Sequence, residues 1–120
     1  CIEGAYVLKD NEHATHFDDS IGLLADWRKS GYVWEIPYRT LFPANGLGGL
    51  LAAGRCSSAS GDAWEVTRVI PSAAMTGQVA GLAASLAIDA GKEPGEISVS
   101  SLQDELRKLG FAIHFADIGL

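Results

Sequence analysis

The sequence predicts an α/β fold, with short strands and two main helices at about residues 71–90 and 101–109. Three observations support this prediction. Large apolar and polar residues alternate from Tyr32 onward, which is the pattern of a strand. A fully apolar run at Leu50–Ala53 is typical of a strand buried in a parallel sheet. A long stretch of small and apolar residues follows Pro71, as in a buried helix.

The composition is that of one globular domain, and we expect residues 1–120 to form a single unit. Hydrophobic residues make up 48% of the chain and charged residues only 20%, so the chain is not of the disordered class. Such an apolar composition in 120 residues also suggests surface that another structure covers.

The charge and the cysteines exclude several classes of function. A net charge of −6 argues against binding to nucleic acid, which requires a basic face. The two cysteines, Cys1 and Cys56, supply no disulfide framework, so we expect a cytoplasmic protein. No apolar run has the length of a membrane span, and we expect no membrane partner. Because the chain begins at Cys1, we expect it to have been cut from a longer polypeptide.

The first 40 residues predict strands and loops. Gly4–Leu8 is a short apolar run followed by turn residues, so we expect a strand there. The acidic segment 12–19 is typical of a loop. Residues 21–28 are compatible with either a short helix or an extended segment. The alternating strand from Tyr32 weakens at Pro37, which has no N–H to donate.

The second half predicts the two helices. Gly54 ends the apolar run, and Pro71 occupies the first position of the long helix, where a missing N–H costs no hydrogen bond. Gly91 follows as its C-cap. The last helix is predicted to open with the Ser-x-x-Gln capping box at 100–103 and to end at Gly110. Its buried stripe is expected at Leu102, Leu106 and Leu109, and a terminal strand is expected at 111–116.

One face of the long helix carries only Ala and Gly, at positions 73, 77, 80, 81, 84 and 87. Because these positions are three or four residues apart, the face is nearly flat. It would permit close approach of a backbone or of a planar ligand. We favour tight packing against a sheet.

The start of this helix is a candidate binding site. Its first N–H groups have no intrahelical partner, and the helix dipole is positive there, so negative charge would be stabilised. Four ordered motifs surround this point: 34–41 (WEIPYRTL), 50–55 (LLAAGR), 68–71 (RVIP) and 77–84 (GQVAGLAA). Together they resemble the C-terminal part of FAD-dependent oxidoreductases related to the fumarate reductase flavoproteins, over about residues 4–111.

The resemblance implies a partial FAD-binding, Rossmann-like fold. Residues 1–40 would then be substrate-side strands and loops, and residues 41–120 the C-terminal part of the FAD-binding domain. FAD would be the cofactor of the complete enzyme, with hydride transfer through flavin N5. The implied cofactor-binding residues are Gly54, Arg55, Ser57, Ile70, Pro71, Ser72 and Ala73. Backbone N–H groups near the last two would face the flavin O2 and N1.

The resemblance also implies a catalytic residue, Arg68, because an arginine just before this helix grips a substrate carboxylate in related flavoproteins. A guanidinium fork suits that task. The alternative is a structural ion pair with Glu65 or Asp62, which is an equally good interpretation of the sequence.

The chain departs from the family because the Gly-x-Gly-x-x-Gly fingerprint that binds the pyrophosphate is missing. We therefore expect an isolated chain to be inactive and to need an N-terminal FAD-binding half or another chain as its partner. The alternative function is a non-catalytic module that self-associates into a homo-oligomer, or binds a nucleotide or a partner chain, through an exposed apolar face.

Three weaker patterns remain. We expect no metal site in the polar loop that contains Glu12, His13, His16, Asp18 and Asp19, since such loops are common. Cys56 with His114 could suggest a thiol nucleophile, but a small buried cysteine is the favoured interpretation. The segment 26–28 could line a substrate pocket, and we favour instead a core-packed Trp27 with its charged neighbours pointing outward.

Overall fold

The computed structural model describes residues 1–119, a mixed arrangement of helices and strands that is compatible with a partial α/β fold. The strands are β1 (Ser20–Ala25) and β2 (Val33–Pro37), and the helices are α1 (Gly61–Thr67), α2 (Ile70–Ala90) and α3 (Val99–Lys108). Short 3-10 turns lie at Tyr38–Leu41, Gly54–Cys56, Pro94–Glu96 and Phe115–Ile118.

The two strands form one antiparallel hairpin. Leu23 lies opposite Glu35 and Leu24 opposite Trp34, with an irregularity in register between Ser20 and Leu23. The strand predicted from Tyr32 is confirmed as β2. The open choice for residues 21–28 is decided by pairing for residues 21–25, because β2 supplies the backbone partners that make them part of β1, whereas residues 26–28 lie in the turn that follows.

The long helix agrees with its prediction, and a shorter helix precedes it. α2 has Pro71 in its first turn and ends at Gly91, whose φ of 64° is the left-handed conformation that glycine adopts without strain. α1 was not predicted. Taken together, α1 and α2 meet the length and composition criteria of a broken membrane span bent by 81°, whereas no single helix within residues 1–119 meets them.

The predicted start of the last helix was wrong by two residues. Ser98 is the N-cap of α3, and its hydroxyl accepts a hydrogen bond from the N–H of Ser101. The expected capping-box Gln103 instead points inward and donates to the carbonyls of Asp18 and Ser20, at 2.8 and 2.9 Å. Gln103 is thus used to attach α3 to the start of β1.

Three predicted strands were wrong. Gly4–Leu8 makes only isolated bridges, at its two ends, to Pro43 and Ala59. Leu50–Ala53 has no neighbouring strand within residues 1–119, and Leu50 is 41% exposed. A buried parallel strand needs partners on both sides, and the described residues supply none.

In the third predicted strand, residues 111–116, side-chain carboxylates accept the hydrogen bonds of three backbone N–H groups. The N–H groups of Ile113 and His114 donate to the carboxylate of Asp117, and that of Phe115 donates to Glu35. These backbone groups are therefore not available for a strand ladder, and the chain turns into a 3-10 segment instead.

The core lies between the hairpin and the three helices. Val79 and Ala83 of α2, together with Leu102 and Leu106 of α3, are fully buried in the same cluster as Trp34 of β2. Burial of these apolar side chains is the main stabilising term for such a fold. The third residue of the predicted α3 stripe, Leu109, is 58% exposed and lies outside this core.

The flat Ala/Gly face of α2 packs only in part within the described residues. Gly77 and Gly81 are exposed, and a Cβ atom built at either would meet no atom within 4 Å, whereas Ala87 is buried. The favoured interpretation, packing of this face against a sheet, was therefore wrong at Gly77 and Gly81. The face that α2 buries is formed by Ser72, Thr76, Val79, Ala83 and Ala87.

Candidate functional site

The turn at Gly54 is attached directly to the first two turns of α2. Its φ of 66° is left-handed, and its N–H donates to Oγ1 of Thr76 at 2.8 Å. A Cβ atom at position 54 would lie 3.3 Å from Cβ of Ala73, which is a tight contact. Glycine therefore serves both the backbone conformation and the close approach of the turn to the helix.

Thr76 joins the two segments and was missed by the sequence analysis. Its hydroxyl also donates to the carbonyl of Ser72 at 2.9 Å, so one side chain links the turn at Gly54 to the helix. Both bonds are buried, and a buried N–H without a partner is costly. The sequence signal that could have identified Thr76 is its position four residues after Ser72, because a helical threonine commonly bonds the carbonyl at that spacing.

Two other predicted cofactor residues follow Gly54. Ser57 is buried, and its hydroxyl donates to the carbonyl of Gly54 at 2.9 Å, so it holds the turn in shape. The Arg55 residue is exposed. Of this pair, only Arg55 presents its side chain to the surroundings.

The start of α2 is open. Ile70 is 84% exposed, and Pro71 is exposed. The N-cap residue is Val69, and no side chain within residues 1–119 makes a capping hydrogen bond to this helix start. Ser72 is fully buried, and its hydroxyl has no hydrogen-bond partner among the described residues. An uncapped helix start beside an unpartnered buried hydroxyl is an incomplete polar environment.

Arg68 lies at the junction of α1 and α2, directly before the N-cap of α2. Its Nε and Nη2 both bind the same Glu65 oxygen, at 2.9 and 2.8 Å, and its guanidinium stacks over the ring of Trp64. The ion pair considered from the sequence therefore forms with Glu65. The other partner considered, Asp62, binds Arg28 at 3.1 Å.

An apolar groove of about 360 Å³ borders the start of α2. Its walls are the 23–25 segment of β1, Trp27, Val69 and Pro71. Trp27 is 63% exposed, so the expectation that it packs in the core was wrong. The hairpin places Trp27 here because Trp27 lies in the turn that follows β1.

The charged neighbours of Trp27 also differ from expectation. Asp26 is buried, and hydrogen bonds from the side chain and the backbone N–H of Arg28 hold the pKa of its carboxyl below the ordinary 3.8. Arg28 then reaches Asp62 of α1. These residues bind the end of β1 to α1 and do not point outward into solvent.

The remaining polar patterns are rearranged by the fold. His13 stacks on Tyr32 with ring centroids 4.0 Å apart, so it does not join His16 in a ligand set. His16 instead lies with Glu35 and His114. Cys56 is exposed, which contradicts the expected burial. No sequence pattern indicated the cluster of His16, Glu35 and His114, since its members lie far apart along the chain.

The structure thus brings the predicted cofactor residues together around the first turn of α2, with Arg68 immediately before it. Gly54 and Ala73 are in close approach, and Ser57 supports the turn. These residues therefore share one location, at the start of α2.

Comparison with known proteins gives one match. The family model described as "FAD dependent oxidoreductase" matches residues 8–106, which covers both strands, α1, α2 and most of α3. Neither the curated proteins nor the solved structures contain a match to this chain. Because the family model covers most of the sequence, the chain belongs to the FAD dependent oxidoreductase family.

Proposed function

We propose that this chain is the C-terminal, flavin-contacting portion of an FAD-dependent oxidoreductase of the fumarate reductase flavoprotein type. The family match supports the cofactor class. The observation that carries the assignment is the uncapped start of α2, held beside the left-handed turn at Gly54 through Thr76. These are the segments that the motifs at residues 50–55 and 68–71 mark in the sequence.

The residues at the start of α2 fit the flavin ring of FAD. Uncapped N–H groups and the positive end of a 21-residue helix favour an electron-rich, partly negative group. The hydroxyl of Ser72 is buried and has no hydrogen-bond partner within residues 1–119, so one polar group at this point is left unsatisfied. Gly54 and Ala73 would lie beside the ring, with Ile70 and Pro71 at its edge and Arg55 exposed nearby. When bound, FAD would supply hydride transfer through its N5 atom.

In this proposal, α2 stabilises negative charge near the pyrimidine side of the flavin. A reduced flavin carries such charge near N1, so its stabilisation raises the reduction potential. The hydrogen bonds from Gly54 to Thr76 and from Thr76 to Ser72 keep the turn and the helix start in fixed relative positions. The chain's own task would be to orient the ring and to set its potential.

Arg68 would hold a carboxylate of the substrate. Its guanidinium is partly exposed, and Nη1 makes no hydrogen bond within residues 1–119, whereas Nε and Nη2 are occupied by Glu65. Trp64, over which the guanidinium stacks, would fix the direction of the fork. The neighbouring groove with Trp27 would exclude water from the apolar part of the substrate.

The chain would need a partner to complete the site. It carries no dinucleotide fingerprint, and α2 exposes Gly77, Gly81 and Ile88, the last at 81%. An N-terminal FAD-binding half, on the same or another chain, would cover this face and bring the pyrophosphate site. A homo-oligomer that covers the same face without flavin is the alternative outcome.

The first test is the intact mass and the visible absorption spectrum of the native polypeptide. A mass well above 12.6 kDa together with flavin bands is expected. A colourless oligomer of chains near 12.6 kDa, with no affinity for FAD, would overturn the proposal in favour of a self-associating module.

The sharper test changes the exposed Ile70 at the start of α2. In the complete flavoprotein, Ile70→Glu places a negative charge at the helix start and should lower the flavin reduction potential. Ile70→Gln makes the uncharged change at the same position and is the matched control. Equal potentials in the two variants would contradict a flavin at the start of α2.

A further inference from the structure

A second cluster of functional side chains lies away from the start of α2. Glu35 of β2 is fully buried, and two imidazoles face its carboxylate. Nδ1 of His114 lies 3.0 Å from Oε1, and Nδ1 of His16 lies 3.5 Å from Oε2. The centroids of the two histidine rings are 4.6 Å apart. Three distant segments of the chain therefore converge on one point.

The buried carboxylate lacks a fixed cation. No lysine or arginine within residues 1–119 forms an ion pair with Glu35, although its side chain has no exposed surface. Its hydrogen-bond donors are the N–H groups of Phe17 and Phe115, at 2.9 and 3.0 Å, and the ring of His114. A buried carboxylate without a counter-ion carries a desolvation cost that hydrogen bonds offset only in part, so a positive charge at this point would be stabilising.

We propose that Glu35, His16 and His114 bind a divalent transition-metal ion. Two imidazole nitrogens and one carboxylate oxygen are a donor set that suits Zn²⁺ and related metals. One ligand atom from each residue can be chosen so that all three lie within 4.8 Å of one another. Ligand atoms around a tetrahedral zinc are about 3.3 Å apart, so these side chains would approach one another by up to about 1.5 Å when the ion binds.

The surroundings suit such an ion. A carboxylate has about four lone-pair sites. Glu35 uses two of them for the backbone N–H groups of Phe17 and Phe115, which leaves room for a metal. Nε2 of His16 lies 3.2 Å from Asp18, and a ligating histidine usually donates its second N–H to such a carboxylate. The side chain of His16 is 58% exposed and gives the ion an entry path.

The ion would have a structural role. His114 follows α3, His16 lies in the loop before β1, and Glu35 is in β2. A metal shared by these three would attach the C-terminal segment to the hairpin, and its binding free energy would add to the stability of the folded state. This site is separate from the residues proposed to contact flavin, so it does not depend on that proposal.

The experiment is calorimetric titration of the purified, metal-stripped full-length protein with Zn²⁺. The exposed thiols Cys1 and Cys56 are first changed to serine, because free cysteines bind zinc. One Zn²⁺ ion per chain is expected, together with a higher melting temperature. His16→Ala should weaken binding by at least about tenfold and abolish the thermal shift.

His13→Ala is the matched control, since His13 lies in the same loop but stacks on Tyr32. It should bind Zn²⁺ like the parent protein. His16 is a surface side chain, so the loss of its ring is not expected to unfold the chain. Failure of the parent to bind Zn²⁺, or equal binding by the His16→Ala and parent proteins, would overturn the proposal and leave a hydrogen-bonded triad.

Discussion

At the scale of single residues, the side chains that join segments matter most. Thr76 bonds both Gly54 and Ser72, and Gln103 bonds two carbonyls at the start of β1. Thr76 satisfies the backbone N–H of the Gly54 turn, and Gln103 satisfies two carbonyls beside β1, so each side chain attaches a helix to another segment. Arg68 differs from them, because its ion pair with Glu65 is local and only partly buried.

The ion pair and the proposed substrate contact of Arg68 can be separated. Arg68→Lys should weaken binding of malonate, a small dicarboxylate probe, by at least tenfold in the flavoprotein, since lysine lacks the planar fork. Glu65→Gln removes the ion pair but leaves the guanidinium, so it should change binding little. The measurement is the perturbation of flavin absorption during titration.

The Glu65→Gln variant should be nearly as stable as the parent protein. An i,i+3 ion pair at this exposure contributes only about 0.2–0.5 kcal/mol to the free energy of unfolding. If Glu65→Gln weakens malonate binding as much as Arg68→Lys does, Arg68 acts only through its ion pair and the catalytic assignment is wrong.

At the scale of elements, the contact between the Gly54 turn and α2 defines the candidate site. The turn follows Leu50–Ala53, a segment that has the composition of a buried strand but no strand partner here. α2 contributes an open first turn and, on one face, the exposed glycines Gly77 and Gly81. In the proposed function, the partner unit would cover this exposed part of α2.

Gly54→Ala tests the close approach of this turn to α2. Alanine at φ 66° is strained by about 1 kcal/mol, and its Cβ would also press on Ala73 at 3.3 Å. Gly91→Ala carries the same strain at φ 64° with no atom within 4 Å. Urea unfolding should therefore show a greater loss of stability for Gly54→Ala, and flavin binding should fall only in that variant.

Equal losses of stability in Gly54→Ala and Gly91→Ala would mean that the turn can move away from the helix at no cost. The contact would then not be a fixed part of the site. The comparison uses two glycines with nearly the same left-handed φ, so the strain from φ is matched and the difference reports the contact with Ala73.

At the scale of the whole molecule, the hydrogen bonds and ion pairs of two carboxylates, Asp26 and Asp117, link the stability of the fold to pH. Asp26 binds Arg28, which reaches Asp62 in α1, and Asp117 binds backbone N–H groups after α3. The pKa of Asp117 is held below its ordinary 3.8 by the N–H groups of Ile113 and His114. Both carboxylates stabilise the fold only while they are ionised.

The stability of the molecule should consequently fall in acid. A carboxyl whose folded-state pKa is lowered contributes stability above its unfolded pKa, and loses it as the pH falls through the folded pKa. The free energy of unfolding in urea should therefore decrease as the pH is lowered below about 4. Asp26→Asn should reduce this dependence, whereas Asp89→Asn, at an exposed position, should leave it unchanged. An unaltered acid slope in Asp26→Asn would contradict the role assigned to Asp26.

The local sequence determined the elements that have local causes. α2 follows from Pro71, a long run of helix-compatible residues and Gly91, and β2 follows from its alternating pattern. The motif at Gly54 and the helix start at Ser72 and Ala73 were located by their order along the chain, and the family match supports the cofactor class.

Only the tertiary structure decided which residues meet. Leu50–Ala53 and residues 111–116 have strand-like sequences, but a strand forms only where a partner supplies its hydrogen bonds. Within the cluster of His16, Glu35 and His114, the last two residues lie 79 positions apart in sequence, and the exposure of Gly77 and Gly81 on α2 depends on what the rest of the chain covers. Local pattern encodes conformation, whereas long-range packing determines burial and therefore the composition of each site.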